Sequence, residues 1–150
     1  MIRKLRAHIY LGPVEQPLGA SKFFKFEPII DYTNDAMMAP VEKVPEWVYD
    51  EQIVSMKNRF RGLQYCKGKV HEWGLKNFLA AAGGGYVFYH IPYSGSDTRL
   101  HCEPSGYGLT CDVVLSCVAF CGHVFVPEQT TLYIDNWYLD FLVPQYAVFA

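Results

Sequence analysis

The sequence predicts an α+β fold in which two helices pack on a mainly antiparallel sheet. Apolar residues recur at three- and four-residue spacing in two segments, residues 45–63 and 70–82, as in amphipathic helices. From Tyr86 onward, short runs rich in β-branched and aromatic residues alternate with turn-forming residues, which indicates strands. Helical patterns followed by a run of strands are typical of the α+β class.

Each predicted helix has a start or stop signal. Pro45 can occupy the first position of a helix, and the first pattern ends among the glycines between residues 62 and 68. Its apolar positions are Trp47, Ile53, Met56, Phe60 and Leu63. The second pattern ends at Gly83-Gly84-Gly85, which we interpret as a helix C-cap followed by a sharp turn. Its apolar positions are Val70, Trp73, Phe78, Leu79 and Ala82.

The remaining segments are predicted to be extended or irregular. Before Pro45 the chain is punctuated by proline and predicts short extended stretches, followed by a loop over residues 31–44. Turn signals divide the part after Tyr86 into five predicted strands. These strands cover residues 86–92, 98–102, 109–126, 130–137 and 141–149.

Length and composition predict one globular domain over residues 1–150. About half of the residues are hydrophobic (51%) and the formal net charge is −2, well away from the profile of disorder. The only basic cluster that we recognise is Arg3-Lys4-Leu5-Arg6, so we expect neither a nucleic-acid nor a membrane partner. We find no signal peptide and no membrane-spanning run, and the odd count of five cysteines favours free thiols. A cytoplasmic protein is expected.

His123 is the residue that most needs an explanation, because it interrupts an apolar run. If residues 117–126 form a strand, a three-residue loop after Val126 places His123 opposite Asp135 in a hairpin. A loop longer by one residue places Asn136 there instead. The pair is either a satisfied buried contact or an orienting pair in a catalytic site.

Cys66 is the cysteine best suited to chemistry. It lies at the predicted start of the second helix, beside Lys67 and Lys69, where a helix N-terminus and ammonium groups would stabilise a thiolate. Cys111, Cys117 and Cys121 lie among apolar neighbours and are interpreted as core residues.

The order of these residues resembles the transglutaminase-like cysteine peptidases of the papain-like fold group. The matching pieces are Cys66 before a helix, Gly122-His123 on a strand, and Tyr133-Ile134-Asp135-Asn136 at the end of the next strand. The resemblance implies a catalytic triad, with Cys66 as nucleophile, His123 as general base and Asp135 as the group that orients the imidazole. Tyr65 and Lys67 stand where the family usually has acidic residues, which leaves open a degenerate member.

The leading hypothesis is therefore a cysteine-dependent amide-bond hydrolase or acyl transferase that acts on a protein or peptide. The alternative is a non-enzymatic interaction or assembly protein that binds a partner or a second copy through its C-terminal segment. A small-molecule binding domain is a third reading. No cofactor and no metal are expected, since the spacing of His101, Cys102, Cys121 and His123 suits tetrahedral ligation poorly.

Overall fold

A computed structural model describes residues 15, 21–57, 60–68, 70–126, 129–135 and 138 of the chain. Within these ranges the chain forms two α-helices and a five-stranded sheet. In chain order the elements are α1 (Glu27–Met38), β1 (Glu46–Ser55), β2 (Gln64–Tyr65), β3 (Trp73–Ala82), β4 (Val87–Pro92), α2 (Leu109–Cys121) and β5 (Thr131–Ile134).

The sheet is mixed, and β3 lies at its centre. β3 pairs antiparallel with β1 on one side, and with β2 and β4 at different points of its other side. β1 also pairs with β5, and these two strands run parallel. The α+β prediction is therefore confirmed in its coarse form.

The first predicted helix is wrong, because residues 46–55 form strand β1. Trp47 and Tyr49 are buried and alternate with exposed Val48 and Asp50, which is the two-residue period of a strand with one buried face. Pairing with β3 runs from Trp47 opposite Ala82 to Ser55 opposite Gly74. Neighbouring strands thus override the three- and four-residue spacing of the apolar side chains.

The second predicted helix is wrong for the same reason. Residues 73–82 form β3, which buries Phe78 and Ala80 on the same face as Trp47 and Tyr49. The glycine run that follows is the turn of a β-hairpin. Gly85 has a φ of 82°, a left-handed conformation that favours glycine, and its N–H donates a hydrogen bond to the Ala82 carbonyl oxygen at 2.8 Å.

The predicted strand over residues 109–126 is also wrong, because residues 109–121 form helix α2. This run is apolar on nearly every side, a composition that fits a buried helix as well as a buried strand. The helix packs on the sheet, where the buried Tyr49 hydroxyl donates a hydrogen bond to the Val113 carbonyl oxygen at 2.9 Å. Its buried residues are Cys111, Asp112, Val113, Val114, Ser116, Cys117 and Cys121.

The other predicted elements have mixed outcomes. The strands predicted over residues 86–92 and 130–137 are confirmed as β4 and β5. Residues 98–102 do not form a strand, and α1 replaces much of the loop predicted over residues 31–44. The extended stretch predicted over residues 22–30 is wrong, because these residues form turns and then the start of α1. The extended stretch predicted over residues 5–12 and the strand predicted over residues 141–149 lie outside the described residues.

Aromatic side chains fill the space between the sheet and α2. The core includes Trp47, Tyr49, Phe78, Phe88 and Tyr89, each 3% exposed or less. α1 lies beside β4, where the Asn34 amide donates to the His90 carbonyl oxygen at 3.0 Å and accepts from the His90 N–H at 2.9 Å. Among the described helices, none combines the length and the apolar character needed to cross a bilayer.

Candidate functional site

Two carboxylates come together where β1 and β5 run side by side. The parallel register pairs Glu46 with Thr131 and continues to Tyr49 with Ile134. Asp50 continues β1 and Asp135 directly follows β5, so each carboxylate comes one residue after the last pair of the register, at which adjacent strands are about 4.8 Å apart. Both side chains are exposed.

Side-chain alternation places these carboxylates on one face of the sheet. Val48 and Asp50 point away from the core face of β1, and Tyr133 and Asp135 continue the same exposed face on β5. Two acidic side chains on an open face next to each other repel unless a cation lies between them. The arrangement is therefore suited to a ligand that carries positive charge.

Packing beneath the two strands holds this geometry in place. The Thr131 N–H donates a hydrogen bond to the Pro45 carbonyl oxygen at 2.7 Å, which fixes the start of β5 against the start of β1. The Trp47 ring stacks on Phe125 with a centroid distance of 4.5 Å. These contacts set the register that brings Asp50 and Asp135 together.

Tyr138 extends the site on the buried side. Its side chain is 1% exposed and its ring meets Tyr49 edge-on at a centroid distance of 5.7 Å. Burial raises the pKa of the Tyr138 hydroxyl, and the negative charges of Glu51, Asp50 and Asp135 raise it further. The hydroxyl therefore lies within electrostatic reach of both carboxylates and stays protonated at neutral pH.

Cys66 lies far from Asp135 in the sheet. It follows β2, and its N–H donates to the Glu72 carbonyl oxygen at 2.7 Å in the turn that leads to β3, so it does not open a helix. β3 and β1 lie between β2 and β5, and three strand spacings amount to about 14 Å. The structure therefore does not bring Cys66 to Asp135.

His123 lies in a short 3₁₀ turn after α2, and it is exposed. The predicted hairpin that would pair it with Asp135 is wrong, because β5 pairs with β1. The Val44 N–H donates to the Val124 carbonyl oxygen at 3.1 Å, so this turn lies near the start of β1. Asp135 follows the opposite end of β5, and the four residues of that strand span about 13 Å. Asn136, the alternative partner, lies outside the described residues.

The sequence did contain a signal for Asp50 that the helix prediction hid. In Trp47-Val48-Tyr49-Asp50, buried aromatic residues alternate with side chains on the other face. Interpreted as a strand, this run has a single carboxylate aligned with the exposed face. The prediction of Asp135 as a site residue rests on a different pattern, the hairpin with His123.

Comparisons with known proteins indicate a different family from the one inferred from the sequence. A family model described as Transposase IS4 matches residues 8–140. The comparison with curated proteins found no match. Among solved structures, a cryo-EM structure of the piggyBac transposase synaptic complex with hairpin DNA matches with a TM-score of 0.53 and 17% sequence identity. The match covers 75% of this chain and 27% of the length of that transposase chain, and at this identity it shows the fold alone.

These findings correct several expectations. The resemblance to transglutaminase-like cysteine peptidases is wrong, and with it the papain-like fold and the Cys66–His123–Asp135 hydrolase. The expectation that nucleic acid is not a partner is contradicted as well. That expectation relied on overall charge, which does not describe how charge is distributed over a surface. Because the family model matches most of the chain, the chain belongs to the Transposase IS4 family.

Proposed function

We propose that this chain forms part of the catalytic unit of a DNA transposase, in which Asp50 and Asp135 bind a divalent metal ion at the phosphodiester bond to be broken. The parallel register of β1 and β5 is the observation that supports this most directly, because it aligns the two carboxylates on one exposed face. Membership of the Transposase IS4 family supplies the reaction class.

The residues fit a magnesium or manganese ion. Both ions prefer oxygen ligands, and Mg²⁺ is commonly bound by one or two carboxylates, with water and substrate phosphate completing its shell. Among the described residues, no group of three or more His, Cys, Asp or Glu side chains is arranged to hold a metal. A pair of exposed carboxylates matches the open type of site rather than a closed cage of protein ligands.

A bound divalent ion would neutralise charge on the scissile phosphate and favour ionisation of an attacking water. The chain's own residues fix the positions of the two carboxylates that would hold the ion. The backbone pairing of β1 with β5 sets the separation of Asp50 and Asp135, while Tyr49 and Trp47 anchor β1 on the core below. Such fixed placement contributes to catalysis because the reacting groups need no rearrangement.

The experiment is a Mn²⁺ titration of the full chain, followed by electron paramagnetic resonance of the free ion. Asp50→Asn and Asp135→Asn should each weaken Mn²⁺ binding by at least about tenfold, since loss of even an outer-shell partner costs about 10–100-fold in metal affinity. Asp35→Asn is the matched control, because Asp35 is an exposed acid on α1. It should leave Mn²⁺ affinity unchanged.

Metal-dependent nicking of supercoiled plasmid is the second readout, and it should be lost in Asp50→Asn and Asp135→Asn. Metal-free thermal stability should be equal or higher in both variants, because each removes one of two neighbouring negative charges. Equal Mn²⁺ affinity in all three variants and the wild type would refute the proposed site.

A further inference from the structure

A basic and aromatic surface lies at the β2 edge of the sheet, opposite the edge formed by β5. We call it the edge surface and define it by five exposed side chains: Lys57, Arg61, Tyr65, Lys67 and Trp73. Tyr65 belongs to β2 and Trp73 to β3, and the two are directly paired in the antiparallel register. Lys57, Arg61 and Lys67 lie in the connections on either side of β2.

The aromatic pair is exposed although it lies on paired strands. Tyr65 is 52% exposed and Trp73 is 55% exposed, and their rings meet at a centroid distance of 5.2 Å with an interplanar angle of 53°. Neither ring belongs to the buried core cluster. Exposed neighbouring aromatic rings provide π-faces on which a planar ligand can stack.

The charge around this pair is positive. Residues 56–71 contain five of the chain's 13 lysines and arginines and none of its 15 acidic residues; Glu72 follows them. Within the described ranges, the ion pairs join Lys76 to Glu51 and Arg99 to Asp31, and neither involves a cation of the edge surface. Single uncharged residues separate these cations in Lys57-Asn58-Arg59-Phe60-Arg61 and Lys67-Gly68-Lys69, so they do not form an uninterrupted basic run.

The edge surface and the carboxylates share one face of the sheet. Asp50 is paired with Leu79, and Leu79 and Trp73 lie six residues apart on β3, an even number that keeps them on the same face. Six residues of strand span about 20 Å.

We propose that the edge surface binds a segment of DNA with unpaired bases, in which Lys57, Arg61 and Lys67 contact phosphates and a base stacks on Tyr65 and Trp73. This inference rests on the proposed function. It gives a second contact, at the edge surface, to the DNA strand whose scissile phosphate is proposed to lie at Asp50 and Asp135. Positive side chains that follow the backbone, together with aromatic rings that stack on bases, are the means by which proteins bind single strands.

The test is fluorescence anisotropy of a labelled single-stranded thymidine oligonucleotide with the full chain, with the metal removed by EDTA. Trp73→Ala and Tyr65→Ala should each weaken binding about fivefold or more, while Trp73→Phe should retain most of it. The combined variant Lys57→Ala, Arg61→Ala and Lys67→Ala should reduce the slope of log affinity against log salt concentration by about two. A duplex of the same length should bind more weakly and should respond little to Trp73→Ala.

Tyr32→Ala and Lys43→Ala are matched controls, because both side chains are exposed on other parts of the chain. Neither should change the affinity for the oligonucleotide. Wild-type affinity in Trp73→Ala and Tyr65→Ala would overturn the inference, as would an equal loss in Tyr32→Ala. So would tighter binding of RNA of matching length, or a change of oligomeric state in Trp73→Ala without loss of DNA binding, which would indicate a protein interface.

Failure of this inference is distinguishable from failure of the proposed function. If Mn²⁺ affinity is unchanged in Asp50→Asn and Asp135→Asn, the proposed function fails whatever the oligonucleotide binding shows. If those two variants lose Mn²⁺ but the Trp73 and Tyr65 variants bind DNA normally, only the assignment of the edge surface fails.

Discussion

The backbone N–H of Tyr138 donates a hydrogen bond to the carbonyl oxygen of Asp135 at 2.9 Å. This bond lies directly after β5, where the chain leaves the exposed face of the sheet. The Tyr138 ring enters the core and meets Phe78 edge-on at a centroid distance of 6.5 Å. A buried aromatic anchor three residues after Asp135 therefore holds that carboxylate in place.

Truncation of this anchor should destabilise the fold and the site together. Tyr138→Ala is expected to lower the free energy of unfolding by about 3–5 kcal/mol, the usual cost of removing a buried aromatic ring. Tyr138→Phe keeps the ring contacts with Tyr49 and Phe78, so it should lower the free energy of unfolding far less than Tyr138→Ala does. Urea denaturation measures both values. Equal stability of the Ala and Phe variants would show that the ring does not anchor the segment.

The buried tyrosines should make the protein sensitive to alkaline pH. Burial raises the pKa of Tyr49, Tyr89 and Tyr138 above the usual value of about 10. The folded state therefore holds these protons more tightly than the unfolded state does. The stability contribution is complete below about pH 10 and is lost as pH rises above it.

Urea denaturation at increasing pH, together with tyrosinate absorbance, measures this effect. The free energy of unfolding should begin to fall near pH 10, and Tyr89→Phe should reduce the slope relative to wild type. Full ionisation of all tyrosines near pH 10 in a protein that remains folded would contradict the prediction.

The sequence predicted elements correctly where local pattern and tertiary environment agree. β4 has a dense run of β-branched and aromatic residues, bounded by Gly85 and by Ser94-Gly95. Thr131–Ile134 forms a strand as predicted, but it pairs with β1 and not with residues 117–126, which the predicted hairpin required. Strand pairing over long sequence separation leaves little local trace, and β1 lies about eighty residues before β5.

The helix α2 was predicted as a strand and the strand β3 as a helix, because in both segments the tertiary environment overrides the local pattern. Residues 109–121 are apolar on nearly every side, so no period distinguishes a buried helix from a buried strand, and their β-branched valines favour the strand. In β3 the reverse holds, since Leu75, Leu79 and the alanines favour a helix locally while pairing with three strands stabilises the extended form. Asp135 could be singled out from the sequence, but Asp50 required the parallel register.

His90 should link stability to mildly acidic pH. Burial lowers the pKa of His90, which lies with its Nε2 3.0 Å from the Thr33 hydroxyl oxygen and its Nδ1 3.4 Å from the Asn77 amide nitrogen. The unfolded state, with a pKa of about 6.5, binds the proton more readily than the folded state does. Stability is therefore complete above about pH 6.5 and is lost as pH falls below it.

His90→Gln removes this titration and should flatten the dependence of the urea midpoint on pH below about 6.5. Burial also lowers the pKa of His101, and the nearby positive charge of Arg99 lowers it further, so some dependence should remain. The double variant of His90 and His101 to Gln should abolish most of it. An unchanged pH profile in the double variant would place the acid sensitivity elsewhere.

Cys66 and His123 should be dispensable for metal binding, in contrast to Asp135. Cys66 is separated from Asp135 by two intervening strands, and His123 lies at the opposite end of β5. A metal ion contacts its ligands at about 2.0–2.1 Å, so neither side chain can join a Mn²⁺ site at Asp50 and Asp135 without a rearrangement of the sheet. Cys66→Ser and His123→Ala should therefore bind Mn²⁺ with wild-type affinity, while Asp135→Asn loses it. A parallel loss in the cysteine and histidine variants would mean that the three residues act together after all, and the strand register would then not define the site.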